Sequence, residues 1–199
     1  MAKQIVIGLG TGRCGTATLA HLLSMQQDTY CGHQDLPLLK WRDDYEKIPL
    51  KINAMFRRKE SVVGDVAMYY LNYVDFINSI YNNVKFVCMK RNKEEVVNSF
   101  SRRMRGRNLW QIHDGTKFAI KENTEWEHCF PKYPKALSRD EAIAAYWEDY
   151  YRQAEMLERM SNFKIFPMEK FNSEEGVKEL FDFLEFENPT IVAGAQANH

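Results

Sequence analysis

Five short apolar runs punctuate the chain: Gln4–Gly8, Thr29–Gly32, Ser61–Asp65, Lys85–Met89 and Phe163–Pro167. Each has the length and the Val, Ile or Phe content of a buried strand. Between them lie stretches with helical spacing, at Thr16–Met25, Asp43–Arg58, Leu71–Tyr81, Glu94–Arg105, Ser138–Met160 and Ser173–Leu184. Ser138 with Glu141 makes a capping box, and Ser173 with Gly176 keeps half of that pattern. Strands alternating with helices predict an α/β fold in three layers, with a central parallel sheet covered on both faces. Right-handed crossovers then bring the ligand-binding loops to the carboxyl edge of the strands.

One interval breaks the alternation. Residues 106–135 show little periodicity and are rich in charge and aromatics, among them Trp110, Phe118, Trp126, Phe130 and Tyr133. A long irregular segment inside a compact domain reads as a functional lid, and its aromatics argue for an ordered one. With no internal repeat, the 199 residues are expected to form one domain carrying this insertion.

The turn after the first strand carries the chemistry. Four of the chain's ten glycines, Gly8, Gly10, Gly12 and Gly15, fall between residues 8 and 15, just ahead of a helix start. Such a turn lets backbone N–H groups crowd around an anion, where the helix dipole adds positive potential. The architecture is therefore P-loop NTPase-like. Gly10 and Gly15 have Walker A spacing, but Thr16 stands where that motif has Lys, and Ala17 where it has Ser or Thr. The cation comes early instead, as Arg13. That departure points away from ordinary ATP or GTP hydrolysis.

Composition narrows the partners. Lys plus Arg and Asp plus Glu are balanced at 27 each, so no bulk field favours nucleic acid or an anionic membrane. Any anion site must be built locally. Cys14, Cys31, Cys88 and Cys129 are scattered without metal-ligand or disulfide spacing, which predicts no metal and a reducing compartment. Met1-Ala-Lys-Gln runs straight into the first strand, and no apolar run approaches the ~18 residues of a membrane span. A soluble, cytoplasmic protein is the expectation.

A second anion-binding element begins at Lys85. The fourth strand ends at a cation and leads into a helix, with Arg91 at the strand's carboxyl end and Ser99 about two turns on. Arg91 offers a charge-assisted pair and Ser99 a hydroxyl. In order along the chain, Gly12-Arg-Cys-Gly-Thr-Ala-Thr-Leu and Arg91 through Ser99 resemble the two nucleotide elements of the sulfotransferases that use 3′-phosphoadenosine 5′-phosphosulfate (PAPS). Tyr146-Trp-Glu-Asp-Tyr-Tyr and Phe166-Pro-Met-Glu-Lys-Phe resemble later segments of that family, so the likeness runs from about residue 4 to 187.

The resemblance implies transfer of a sulfuryl group from PAPS to a hydroxyl or amine on a small-molecule or glycan acceptor, leaving 3′-phosphoadenosine 5′-phosphate (PAP). It implies that Gly12, Arg13, Cys14, Gly15, Thr16, Ala17 and Thr18 hold the 5′-phosphosulfate, with Arg13 relieving charge on the leaving phosphate. Arg91 and Ser99 would hold the 3′-phosphate. Cys14 reads as a small loop filler, and Thr18 reads equally well as a helix residue packed on the sheet. Relatives carry a general base at the end of the strand before the 3′-phosphate element, which here is Asp65, in Val-Gly-Asp-Val-Ala. A strand-end Asp is also an ordinary helix cap. His33, ending the second strand, competes for the same job because imidazole titrates near neutrality. His113, Asp114, Glu127 and His128 fall in the lid. Arg102, Arg103, Arg105 and Arg107 read either as an anion-steering cluster or as a solvated helix end. Two other readings stand beside the transferase: a P-loop nucleotide kinase or NTPase, and a non-catalytic sulfonucleotide-binding module.

Overall fold

Every apolar run pairs with its neighbours as a parallel strand, because burial on both faces leaves the backbone N–H and C=O groups no other partners. The computed structural model describes residues 3–104, 108–110, 126, 128–134 and 137–195. Its strands are β1 (Gln4–Leu9), β2 (Thr29–His33), β3 (Val62–Val66), β4 (Val84–Lys90) and β5 (Phe163–Pro167), in the order β2-β3-β1-β4-β5. Ile7 pairs with Asp65 on one side and Phe86 on the other, which puts β1 at the centre. Ile5, Ile7, Val63, Phe86 and Val87 are each at most 1% exposed, and the core lies along this sheet.

Helices cover both faces: α1 (Thr16–Ser24), α2 (Lys47–Phe56), α3 (Val74–Ile80), α4 (Lys93–Arg103), α5 (Arg139–Leu157) and α6 (Glu174–Leu184). The capping box of α5 forms as its sequence requires, with Glu141 N–H donating to Ser138 Oγ and Ser138 N–H to Glu141 Oε2. Ser173 Oγ likewise accepts from Gly176 N–H at the start of α6. No helix among the described residues is long and apolar enough to cross a membrane.

Two helices differ from the pattern. α2 begins at Lys47 rather than Asp43, because Asp43 takes a left-handed φ of 68° and the Asp44 carboxylate accepts from Lys40 N–H, closing a turn before the helix. The predicted helix at Leu71–Tyr81 divides into a 3₁₀ segment, Met68–Tyr73, and α3. The polypeptide leaves β1 in one direction to reach β2, then returns through β3 and steps over β1 to β4. This reversal opens a crevice at the carboxyl ends of β1 and β4, where doubly wound sheets bind ligands.

The central strands approach closely. A Cβ at Gly64 of β3 would press on the Val6 carbonyl oxygen of β1, and backbone cannot yield there. Gly64→Ala is therefore expected to lose about 1–3 kcal/mol of stability, measured as a lowered urea midpoint.

Candidate functional site

At the crevice, the loop from Gly10 to Gly15 turns through left-handed backbone. Gly10, Gly12 and Gly15 have φ of 144°, 83° and 94°, and Arg13 itself has φ 57°. Residues of positive φ on either side of Cys14, which lacks it, turn the intervening N–H groups toward one concave face. The N–H groups of Arg13, Gly15, Thr16, Ala17 and Thr18 have no acceptor among the described residues. Together with the start of α1, they form a cradle for an anion.

Helix α5 supports the loop from behind. Tyr146, Trp147, Tyr150 and Tyr151 share one helix face. Gly10 N–H donates to Tyr150 Oη at 2.8 Å, and Tyr150 Oη donates to Met68 O at 3.1 Å. Tyr146 Oη donates to Thr11 O at 3.1 Å, and Tyr151 Oη to Met89 O at 2.7 Å. Burial drives these three phenols well above the ordinary Tyr value, so they stay neutral hydroxyls. Trp147 Nε1 donates to Arg91 O at 3.0 Å, so one helix fixes both the glycine loop and the turn after β4. The sequence signal was present in the Tyr-Trp-x-x-Tyr-Tyr spacing, but its partners lie about 60–140 residues away.

The two elements meet. Arg13 Nε donates to Ser99 Oγ at 3.0 Å, and Arg91 Nη1 reaches Arg13 O at 3.3 Å. Arg91 Nε also pairs with Glu95 Oε2 at 2.6 Å. An open cleft of about 490 Å³ is lined by Arg13, Ser99, Arg102 and Arg103. Burial, and then the guanidinium groups of Arg103 and Arg91, lower the Arg13 pKa. Arg105 and Arg107 lie outside the described residues.

The remaining predicted residues separate. Cys14 is fully buried behind the loop, and burial pushes its thiol above the usual range, as suits a filler. Thr18 is half-buried on α1. His33 stands at the carboxyl end of β2, with Nε2 3.2 Å from Thr16 Oγ1 at the first turn of α1. Asp65 is wholly buried. Its Oδ2 is 3.1 Å from Lys51 Nζ and accepts from Tyr70 Oη at 2.8 Å, while Oδ1 accepts from Asp35 N–H at 3.1 Å. Lys51, 2% exposed, also donates to the carbonyls of Asp35 and Pro37. Asp65 and Lys51 thus tie the loop after His33 to β3 and α2.

Of the segment expected to form a lid, Trp110 and Phe130 are buried and pack on Tyr146, with ring centroids 5.8 and 5.7 Å away. Tyr133 Oη donates to Asp149 Oδ2 of α5, and His128 O accepts from Trp41 N–H. His113, Asp114, Phe118 and Glu127 lie outside the described residues. Among the described residues no group of three or more His, Cys, Asp or Glu is placed to hold a metal ion.

No protein-family model matches the chain, and no curated protein matches it by sequence. Solved structures do match by fold. A sulfotransferase domain from the curacin biosynthetic pathway overlays with a TM-score of 0.57 at 11% identity, over 95% of this chain and 76% of that one. The sulfotransferase domain of the Synechococcus PCC 7002 olefin synthase overlays with a TM-score of 0.57 at 14% identity, over 95% and 75%. Shikimate kinase from Bacteroides thetaiotaomicron overlays with a TM-score of 0.45 at 13% identity, over 92% and 99%. The chain therefore has a sulfotransferase-like fold.

Two substitutions test the supports. Tyr150→Phe strands the Gly10 N–H and should lose about 1–3 kcal/mol in urea unfolding. Lys51→Ala leaves the Asp65 carboxylate buried without its counter-ion and should lose about 3–5 kcal/mol by the same measure.

Proposed function

We propose that this protein is a sulfotransferase that moves a sulfuryl group from PAPS to a hydroxyl or amine of an acceptor. The observation that carries the reading is the meeting of two anion-binding elements, with Arg13 Nε on Ser99 Oγ and Arg91 Nη1 on Arg13 O. A doubly phosphorylated nucleotide needs both at once, whereas a singly phosphorylated ligand needs one. The loop fits the 5′ end of such a ligand, since the N–H groups of Arg13, Gly15, Thr16, Ala17 and Thr18 have no acceptor among the described residues and Arg13 adds a fixed charge beside them. Sulfuryl transfer, like phosphoryl transfer, needs in-line positioning and charge relief on the departing phosphate more than covalent help. Arg13 supplies that relief in this reading.

His33 serves as the general base. It sits on Thr16, at the lip of the cradle. Asp65 acts as a structural anchor, because Lys51, Tyr70 and the Asp35 N–H engage both its oxygens out of reach of solvent. The same engagement, with Thr16 where a kinase has its P-loop Lys, weighs against nucleotide kinase chemistry.

Transfer of radiolabelled sulfur from PAPS across a panel of hydroxyl and amine acceptors tests the proposal. Arg13→Ala should lower kcat about 10²–10³-fold, as loss of a charge-stabilising donor does. His33→Asn should lower it about 10²–10⁴-fold with little change in PAP affinity. No transfer to any acceptor, together with no PAP binding by calorimetry, would overturn the reading. PAP binding without turnover, unaffected by His33→Asn, would instead favour a sulfonucleotide-binding module.

A further inference from the structure

We infer that the buried Lys51–Asp65 pair is a positioning device for His33, holding the turn after β2 so that the imidazole meets Thr16. What His33 does from that place, acting as general base, rests on the function proposed above.

The turn needs outside restraint. Gln34 takes a left-handed φ of 61°, a conformation that is unfavourable for a residue with a Cβ. Its N–H donates to Val66 O at 3.1 Å, beside the paired ends of β2 and β3. Among the described residues, the side chains that bond the backbone of residues 34–37 are the two members of the pair. Asp65 Oδ1 accepts from Asp35 N–H at 3.1 Å, and Lys51 Nζ donates to the carbonyls of Asp35 and Pro37. On the other side of His33, a Cβ at Gly32 would collide with the Asp35 carboxylate. That carboxylate is itself fixed by Tyr30 Oη, which donates to Oδ2 at 2.6 Å. His33 is thus held between two neighbours whose geometry depends on the same turn.

Stability does not account for the pair. A buried ion pair is often no better than apolar side chains of similar volume, because both charges lose their water. Lys51 is 2% exposed and Asp65 0%, and the ammonium lies over the Tyr69 and Tyr70 rings, surroundings that suit apolar groups. Apolar side chains, however, cannot bond the N–H and C=O groups of a turn from a strand and a helix at once. The same burial keeps both residues off any ligand, so they act through His33. The ring they present has Nε2 3.2 Å from Thr16 Oγ1. Displacing a reacting group by about 1 Å can cost ~10²-fold in rate.

The K51M/D65N variant removes both charges together. Its asparagine amide can still accept from Asp35 N–H, while the Asp35 and Pro37 carbonyls lose their donor. With an acceptor identified by the transfer panel, kcat should fall about 10–100-fold, while acceptor KM and calorimetric PAP affinity stay within about threefold. In a ¹⁵N-histidine spectrum the His33 signal, assigned by its loss in H33N, should shift, and the His21 signal should stay. L184A is the control for lost stability: it opens a cavity at the amino end of β1, where Gln4 Nε2 meets the Leu184 carbonyl. It should lower the urea midpoint yet leave kcat and the His33 signal unchanged. Wild-type kcat in K51M/D65N, or a loss that L184A reproduces, overturns the inference. If circular dichroism shows the double variant unfolded, D65N is read in its place by the same criteria. If wild type neither binds PAP nor transfers a sulfuryl group, the proposed function fails and the imidazole signal alone judges the positioning. A shift then supports it, and an unmoved signal overturns it.

Discussion

A loop that presents its N–H groups inward must hold unfavourable backbone, and here the restraint comes from tyrosines. Gly10 donates to Tyr150, and Thr11 is held through its carbonyl by Tyr146. Three glycines accept positive φ without a steric penalty, but Arg13 at φ 57° does not, and something outside the loop must compensate. The hydroxyls of α5 meet that need from within a region where burial keeps them protonated. Because Trp147 of the same helix holds the Arg91 carbonyl, the separation between the two cationic elements is set by a rigid rod of secondary structure.

The topology makes this economical. β1 and β4 lie side by side, with Leu9 opposite Cys88, so the loops that follow them emerge next to each other. The long connection between β4 and β5 then lays α4 and α5 together against that edge. A positively charged cleft in a chain with equal numbers of acidic and basic residues is thus a product of placement. Elsewhere many of the described lysines and arginines meet carboxylates, as in Lys90–Glu155 and Lys93–Glu148. At the crevice Arg13, Arg102 and Arg103 meet none among the described residues.

Much of this was readable along the chain. Strand positions agree to within one residue at each end, because fully buried strands are nearly continuous apolar runs. The glycine loop was legible because its requirement is local. The boundary at Asp43 was missed because a helix-compatible pattern cannot show that the Asp44 carboxylate bonds Lys40 N–H and stops the helix there. Asp65 illustrates the larger gap. Its position at a strand end, before the second cationic element, marks it equally as a base or an anchor. Its partners, Lys51 14 residues earlier together with Tyr70 and Asp35, are set by the fold and by no local pattern.

By itself, then, the sequence determined the α/β alternation, the strand and helix positions and the glycine turn at the head of α1, since each follows from periodicity or residue type within a short window. The tertiary structure alone decided that β1 lies between β3 and β4, that Glu95 pairs with Arg91, that His33 reaches Thr16 at the end of the loop while Asp65 is engaged by Lys51 and Tyr70, and that three tyrosines of one helix brace the loop and the strand end beside it. These depend on which distant groups share a buried volume or a cleft. No local pattern encodes such pairings, because burial selects partners by position in space and the chain reaches that position by its topology.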